Sequence, residues 1–340
     1  MSQIGLLICS RNNYDLIESW RNNYNYADQV ILNIDDGSSL DNLRLGQKIC
    51  KKNKIFFIKS KKKGLQNNIY EACQFFEKKK IKWILYQHHD SYPLTKNIFL
   101  KLGHYISNGK IKKFGVIGFN VLDSINGDFK YWNNNKTPLR TTARSVLELG
   151  DGWYRKRIGS RIQYKKTTKG FAVESVMWSA ALINTEMFKK KIKIDNNFNF
   201  FHAWDDIAFQ FLNQNIYNIV LPNIHFAHDQ KLKIDHKIPY SSANASNKKR
   251  KYYYGHFNHL KIWNNKWGFE YDLTKNISFH YKKFPILYRF LRYLGINRWS
   301  FLETRARVTF KKNLNKYKKT LLFDFFNHDP KNGYLKQFNL

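Results

Sequence analysis

The sequence predicts an α/β protein with a mixed, mainly parallel sheet covered by helices on both faces, followed by a basic, largely helical C-terminal extension. Three observations predict this. Short and almost wholly apolar runs recur along the first part of the chain, amphipathic segments separate them, and residues 236–340 become basic and aromatic. Short apolar runs are typical of strands buried on both faces, and their alternation with amphipathic helices favours parallel pairing.

Strands are predicted where the apolar run is nearly uninterrupted, beginning with IGLLIC at residues 4–9. Helices are predicted where apolar residues recur three and four positions apart, as Ile69, Cys73 and Phe76 do. Acids near the start of a segment support a helix at 14–23 and another at 204–213. The predicted strands are 4–9, 29–34, 55–58, 83–86, 114–121, 177–184 and 217–221. The predicted helices are 14–23, 65–79, 93–106 and 204–213.

These elements assign residues 1–235 to one α/β domain and residues 236–340 to the extension. The alternation of strands and helices breaks at residues 123–169, which are rich in Asn, Lys, Arg and Trp. We interpret that segment as an insertion or lid beside the ligand-binding edge of the sheet. In mainly parallel sheets ligands bind beyond the carboxyl ends of the strands.

The chain is strongly basic, with 59 Lys and Arg against 25 Asp and Glu and a formal net charge of +34. Such a charge favours an anionic partner, either nucleic acid, an anionic membrane face or a phosphorylated ligand. Abundant Lys, Asn, Ile, Tyr and Phe are also typical of an AT-rich genome, so composition is an alternative explanation of part of the charge. A hydrophobic content of 43% excludes wholesale disorder.

The three cysteines, Cys9, Cys50 and Cys73, show neither a disulfide framework nor metal-ligand spacing, which favours a reducing compartment. The opening MSQIGLLICSRNN lacks the basic start of a signal peptide, and no apolar run reaches the roughly 18 residues that span a bilayer. We expect a cytoplasmic protein. A peripheral position on the inner face of the cytoplasmic membrane is the further option.

Acidic residues follow two of the predicted strands. Asp35 and Asp36 open the run DDGSS after the second strand, where they suit ribose hydroxyls or a base N–H, although Asp-Gly-Ser is also ordinary turn chemistry. Asp90 follows the fourth strand within QHHDSYP. A carboxylate there, with His88, suits Mg²⁺ or Mn²⁺, and His228 in HFAHD is a further candidate ligand.

A third acidic motif, Asp205-Asp206, opens the predicted helix at 204–213. One of the two carboxylates suits a general base, while acids in a first turn also stabilise the helix dipole.

The order and spacing of these motifs resemble the family 2 glycosyltransferases of the GT-A fold. The runs that carry the resemblance are LLICSRNNYDLIESW, NIDDGSSLDN, WILYQHHDSYPL, WSAALINTEMF, AWDDIAFQFL, HFAHD and KWG, over roughly residues 3–268. It implies a Rossmann-like catalytic domain and an inverting transferase of the hexosyltransferase type. The enzyme would move a sugar from a nucleoside-diphosphate sugar to a hydroxyl of a glycan or a lipid-linked acceptor, in cell-surface polysaccharide synthesis.

The resemblance also implies roles for individual residues. Donor nucleotide binding falls to Asp35 and Asp36 together with Ser10, Arg11 and Gly64. Asp90 and His88, with His228, would hold Mg²⁺ or Mn²⁺, and Asp205 or Asp206 would be the general base. Trp153, Arg155 and Trp204 are candidate acceptor contacts.

The metal motif departs from the family pattern, because His88 stands where the first acid belongs. Asp90 therefore acts either with His88 or alone. The extension carries a predicted amphipathic helix at 284–296, which suits either an anionic membrane surface or packing against the catalytic domain.

Two other functions compete with glycosyl transfer. A nucleic-acid-binding protein would explain the charge, but no helix-turn-helix, zinc-finger or RNP pattern is present, and we expect no specific nucleic acid partner. Another nucleotide-dependent α/β enzyme would need a phosphate loop. The first strand is instead followed by Ser-Arg-Asn-Asn, with no G-x-G-x-x-G.

Overall fold

The structure is a computed structural model. It describes residues 4–12, 14, 16–17, 29–124, 140–141, 143–144, 169–176, 179–198, 202–229, 262–263, 265–268, 314–328 and 335–340.

In these ranges one mixed sheet forms the centre of the molecule. Its strand order is β13-β9-β12-β6-β11-β4-β1-β2-β3, with β5 paired to β12 and β7 to β6, and β8 and β10 form a separate pair. The strands are β1 Ile4–Ser10, β2 Ile31–Asp35, β3 Phe56–Lys59, β4 Trp83–Gln87, β5 Ser91–Pro93, β6 Val116–Ser124, β7 Arg140–Thr141, β8 Ala143–Arg144, β9 Gly170–Val173, β10 Ser175–Val176, β11 Ala180–Asn184, β12 Asn218–Asp229 and β13 Gln337–Phe338.

In the described residues helices lie between the strands, and those at 65–78, 98–107 and 203–213 match predicted helices. They are α1 Leu40–Lys52, α2 Leu65–Lys78, α3 Ile98–Ser107, α4 Thr185–Lys191, α5 Ala203–Asn213 and α6 Leu321–Asn327. The strands β3, β2, β1 and β4 are parallel, β11 runs antiparallel to both of its neighbours, and β12 is parallel to β6. The mixed, mainly parallel sheet is therefore confirmed.

Apolar side chains fill both faces of the sheet. In β1, Leu7 belongs to the core that contains α2 and α5, while Leu6 and Ile8 belong to the core on the opposite face with α3. This alternation follows from the two-residue period of a strand. It explains why β1 is apolar at almost every position, since both of its faces are buried.

Several predicted boundaries shift in the structure. The predicted helix at 93–106 begins only at Ile98, because Ser91–Pro93 pairs with β12 as a short strand. The predicted strand at 217–221 extends to Asp229 through an irregularity between Leu221 and His225. Helix α1 is a further element that the sequence analysis did not predict. Its apolar residues are sparse among polar ones, and only Gly46, Ile49 and Cys50 are buried.

Parts of the predicted extension pack directly onto the α/β core. Trp263, Trp267 and Tyr317 join the core that contains α5, and β13 pairs with β9. Most of the predicted helix at 14–23 and most of the predicted insertion at 123–169 lie outside the described residues. The predicted helix at 284–296 lies wholly outside them. Within the described ranges, no helix has the length and apolar character needed to cross a membrane.

Candidate active site

The site lies at the carboxyl end of β2, where the two adjacent acids have different surroundings. Asp35 is fully buried and accepts hydrogen bonds from the backbone N–H groups of Gly37 (3.1 Å) and Ser38 (3.2 Å) and from the Tyr14 hydroxyl. Gly37 has φ +87°, a left-handed conformation that glycine adopts at no steric cost. Asp35 therefore holds the turn that presents the next residue.

Asp36 is half-buried and reaches across to the start of α2. Its Oδ1 accepts hydrogen bonds from the Gly64 N–H (2.8 Å) and the Asn68 side-chain amide (3.0 Å), and its own N–H donates to the Ser10 carbonyl (2.9 Å). Burial raises the pKa of Asp36, although these hydrogen bonds and the nearby Arg11 charge lower it in part. A carboxylate held in this unfavourable environment is typical of a functional site.

Tyr86, near the end of β4, lies between the acidic motifs. Burial raises the pKa of its phenol, and the negative charges of Asp90 and Asp36 raise it further. The rings of Trp204 and His88 meet the Tyr86 ring edge-on, with centroids 5.0 Å and 5.7 Å away. Two carboxylates that are remote in the sequence, Asp36 and Asp90, therefore lie within electrostatic reach of one phenol.

Asp90 is buried beside His88, with 3.7 Å between its Oδ1 and the His88 Nδ1. His228 is paired with Ser91 in the β5–β12 ladder, which places its backbone next to the same loop. Among the described residues, no group of three His, Cys, Asp or Glu side chains is arranged to hold a metal ion. The Asp90 carboxylate fits a hard cation such as Mg²⁺ or Mn²⁺, which commonly takes its remaining ligands from water and substrate phosphates.

The two acids at the start of α5 are both fully buried, and they face different partners. Asp205 accepts a hydrogen bond from the Ser175 hydroxyl (2.8 Å) and lies 3.0 Å from the His202 Nδ1. His202 has φ +57° at the residue before the helix. A left-handed conformation is costly for a non-glycine residue and is concentrated at functional sites.

Asp206 accepts three hydrogen bonds and forms one ion pair. Its Oδ2 accepts from the side-chain amides of Gln66 (2.9 Å) and Gln210 (2.8 Å). Its Oδ1 accepts from the Trp267 indole (2.9 Å) and lies 2.8 Å from the Lys266 ammonium. An ionised carboxylate has about four lone-pair sites. All of them are used here by groups of the chain itself.

The start of α2 connects Asp36 with the acid pair. Gly64, the residue before α2, donates to Asp36, and Gln66, two residues later, donates to Asp206. Together with the Tyr86 contacts, these bonds gather Asp36, Asp90 and Asp206 around the carboxyl ends of β1, β2 and β4. The general-base role predicted for Asp205 or Asp206 stays a prediction.

Two of the other predicted site residues, Ser10 and Trp204, are buried beside the site. Ser10 is buried and its hydroxyl donates to the Asn33 side chain (2.8 Å), so it braces the ends of β1 and β2. Trp204 is fully buried against Tyr86. Trp153 and Arg155 lie outside the described residues. Sequence analysis assigned no site role to Gln66, Tyr86 or Lys266, although Tyr86 and Lys266 lie in runs that carry the resemblance, because these side chains meet their partners only through the tertiary fold.

No protein-family model matches the sequence, and no curated protein matches it either. Similar solved structures include GalNAc-T7 with UDP, GalNAc and Mn²⁺ (13% identity, TM-score 0.45, covering 66% of this chain and 43% of that one) and TarS of S. aureus (13%, 0.42, 81% and 45%). Residues 1–349 of the same TarS give 12% identity and a TM-score of 0.40, covering 90% of this chain and 82% of that one. The chain spans less than half the length of the first two structures. At these values the similarity carries no information about activity.

Proposed function

We propose that this protein is a glycosyltransferase that uses a nucleoside-diphosphate sugar as donor. The observation that carries the proposal is that acids remote in the sequence meet at one edge of the sheet: Asp36 accepts a hydrogen bond from Gly64 at the start of α2, and Gln66, two residues later, donates one to Asp206. The edge that they occupy is where α/β sheets bind nucleotides. The acid pair Asp205-Asp206 is joined to the same edge through α2, so donor-binding and proton-accepting groups are available together.

Donor binding falls to Asp36. Its Oδ2 is the carboxylate oxygen that can accept a hydrogen bond from a base N–H or a ribose hydroxyl, because the bonds from Gly64 and Asn68 both go to Oδ1. Asp35 supports this residue from within the turn. Arg11 lies close enough to lower the pKa of Asp36 and suits the donor phosphates.

A divalent cation, Mg²⁺ or Mn²⁺, would be held by Asp90 with His88, and His228 is a third candidate ligand. Such a cation offsets the charge that develops on the nucleoside-diphosphate leaving group. The carboxylate of Asp90 is suited to this because hard cations prefer oxygen ligands.

The acid pair at the start of α5 would accept the proton of the acceptor hydroxyl. The hydroxyl oxygen bonds to the anomeric carbon as the bond from that carbon to the phosphate oxygen breaks, so the configuration inverts. A positioned base contributes roughly 10²–10⁴-fold to such a step. Three hydrogen bonds and an ion pair from its own chain hold Asp206, so we assign support of the site to it. We assign proton transfer to Asp205, which lies 3.0 Å from the His202 imidazole nitrogen Nδ1.

The acceptor would be a glycan or a lipid-linked hydroxyl, in the synthesis of a cell-surface polysaccharide. A net charge of +34 supports a peripheral position on an anionic cytoplasmic membrane face, where each Lys or Arg near the surface contributes about 1 kcal/mol. Residues 1–235, with the packed segments that follow them, would form the catalytic unit.

The test is a binding panel followed by a turnover assay. Thermal shifts are measured with UDP, GDP, CDP, TDP, NAD and S-adenosylmethionine, each with and without Mn²⁺. One nucleoside diphosphate is expected to stabilise the protein, and more strongly with Mn²⁺. The sugar nucleotides of that base are then assayed for release of the nucleoside diphosphate, first with water and then with glycans as acceptors. Stabilisation by NAD or S-adenosylmethionine alone would overturn the proposal.

A further inference from the structure

The Asp206 carboxylate is the centre of a buried polar cluster that joins three separate parts of the chain. Gln66 comes from the start of α2, Gln210 from α5, and Lys266 and Trp267 from a segment some sixty residues further along. We call these five residues the Asp206 cluster. Asp206 is fully buried, and Lys266 keeps about 29% of its side chain exposed.

The two glutamines cannot turn to suit a different partner. The Gln66 amide donates to the Ala203 carbonyl (3.2 Å), and its oxygen accepts from the Asp195 N–H (2.8 Å). The Gln210 amide is held at both ends by the backbone of Lys193. Each amide therefore presents its NH₂ group to Asp206 in one orientation. Only an acceptor of hydrogen bonds satisfies the cluster at position 206.

The segment at 265–268 is fixed just as firmly. Lys266 forms a second ion pair with Asp195 (2.9 Å), and its ammonium also lies over the Phe198 ring at 5.2 Å. The Trp267 ring packs against Phe209 of α5, with centroids 5.3 Å apart, and its carbonyl accepts from the Tyr317 hydroxyl. The hydrogen bond of Lys266 lowers the pKa of Asp195, against the opposing effect of burial.

A buried ion pair is a poor way to gain stability, because desolvation of the two charges offsets much of their attraction. Its best-attested use is to select one arrangement of the parts that it joins. In this protein the parts are those that carry the site. Gln66 is two residues from Gly64, which binds Asp36, and Asp206 is adjacent to Asp205.

We propose that Lys266 and Trp267 are positioning residues for sugar transfer, which hold the first turn of α5 at a fixed place relative to the donor carboxylate Asp36. The inference rests on the proposed function. It assigns the segment at 265–268 to the catalytic unit, although it lies beyond the boundary at residue 235 that the sequence predicts. A misplacement of about 1 Å at a reacting group can cost on the order of 10²-fold in rate.

The experiment compares single variants of the full chain in donor turnover. Trp267→Phe keeps an aromatic ring and removes one N–H donor, and Lys266→Met removes the charge at nearly constant length. Both are expected to lower kcat at least tenfold while the KM for the donor and the Kd for the nucleoside diphosphate stay within about twofold. Lys266→Arg, which keeps the positive charge between Asp195 and Asp206, is expected to recover most of the activity.

Two matched control variants distinguish an effect on the geometry of the site from a general loss of stability. Trp83→Phe makes the same chemical change in a buried residue at the amino end of β4, and Lys189→Met breaks a surface ion pair with Glu77. Both are expected to leave kcat within about twofold of the unchanged protein. If Lys266→Met does not fold, Trp267→Phe decides, because it keeps an aromatic ring beside Phe209 and removes the N–H that donates to Asp206.

The outcomes are distinguishable. If Trp267→Phe and Lys266→Met have the same kcat as the unchanged protein, the inference is overturned and the proposed function stands. A fall in nucleotide affinity that parallels the fall in kcat, or an equal fall in Trp83→Phe, also overturns it, because the effect is then global. If the unchanged protein turns over no nucleotide sugar, the proposed function fails, and the inference fails with it.

Discussion

Replacing Asp36 with Asn is expected to stabilise the fold and abolish nucleotide binding at the same time. The two hydrogen bonds that Asp36 accepts, from Gly64 and Asn68, both end on Oδ1. An Asn side chain keeps an oxygen in that place. What it removes is the negative charge, whose burial raises the pKa of Asp36.

The sign of the pH dependence follows from that direction. Because the folded protein holds the proton of Asp36 more tightly than the unfolded chain does, the carboxylate costs stability above its ordinary pKa of 3.8. The cost reaches its full size above the folded-state pKa and disappears as the pH falls towards 3.8. Asp36→Asn is therefore expected to gain about 0.5–1 kcal/mol at pH 7 and progressively less in acid.

The assay is urea denaturation of both proteins at pH 7 and at several acidic values, together with calorimetric titration of the nucleoside diphosphate that the panel identifies. The matched control is Asp41→Asn, an exposed acid in the first turn of α1. It removes a favourable interaction with the helix dipole, so a loss of a few tenths of a kcal/mol is expected and nucleotide affinity is unchanged. A loss of more than about 1 kcal/mol in Asp36→Asn, or unchanged nucleotide affinity, would refute the reasoning.

Three further predictions concern the same site. Asp206→Asn is expected to lower the free energy of unfolding, measured by urea denaturation, by about 3 kcal/mol, because the NH₂ group of the new Asn side chain faces hydrogen-bond donors that cannot turn away. A loss under about 1 kcal/mol would contradict the role given to the Asp206 cluster. Gly64→Ala is expected to lower the free energy of unfolding by about 1–2 kcal/mol, because Gly64 has φ +112°, a backbone conformation that alanine rarely adopts. It is also expected to weaken nucleotide binding in the same titration. Unchanged nucleotide affinity would show that Gly64 is not part of the donor site. Asp90→Asn is expected to remove the extra thermal shift that Mn²⁺ adds to the nucleotide and to leave metal-free binding intact, as EDTA does for the unchanged protein. The exposed Asp324→Asn serves as its control, and a persisting Mn²⁺ effect would exclude Asp90 as a ligand.

Most of the sheet was predictable because its strands are buried on both faces. Leu6, Leu7 and Ile8 face two different cores, so the run reads as continuous apolar sequence. Helix α1 was not predictable in the same way, since its buried face includes Gly46. A Cβ atom there would lie 2.4 Å from the Tyr14 ring. A glycine that allows a ring to pack against the helix does not add to the apolar periodicity by which a helix is predicted.

The candidate site was predictable only in part for a related reason. Acids that follow strands, such as Asp36 and Asp90, mark the edge of the sheet through their local sequence. The different surroundings of Asp205 and Asp206 depend on Gln66 and Lys266, which lie far away in the chain. Sequence spacing could identify the pair of acids and could not tell which of them is enclosed by hydrogen-bond donors.

The pairing of β13 with β9 affects how the chain folds during translation. Strand β9 receives its outer neighbour only after at least 337 residues have left the ribosome, although most of the sheet is available much earlier. Until then that side of β9 has no strand partner among the described residues, and its backbone groups can pair with a strand of another chain. Nascent or prematurely terminated chains are therefore expected to be the species most in need of chaperones.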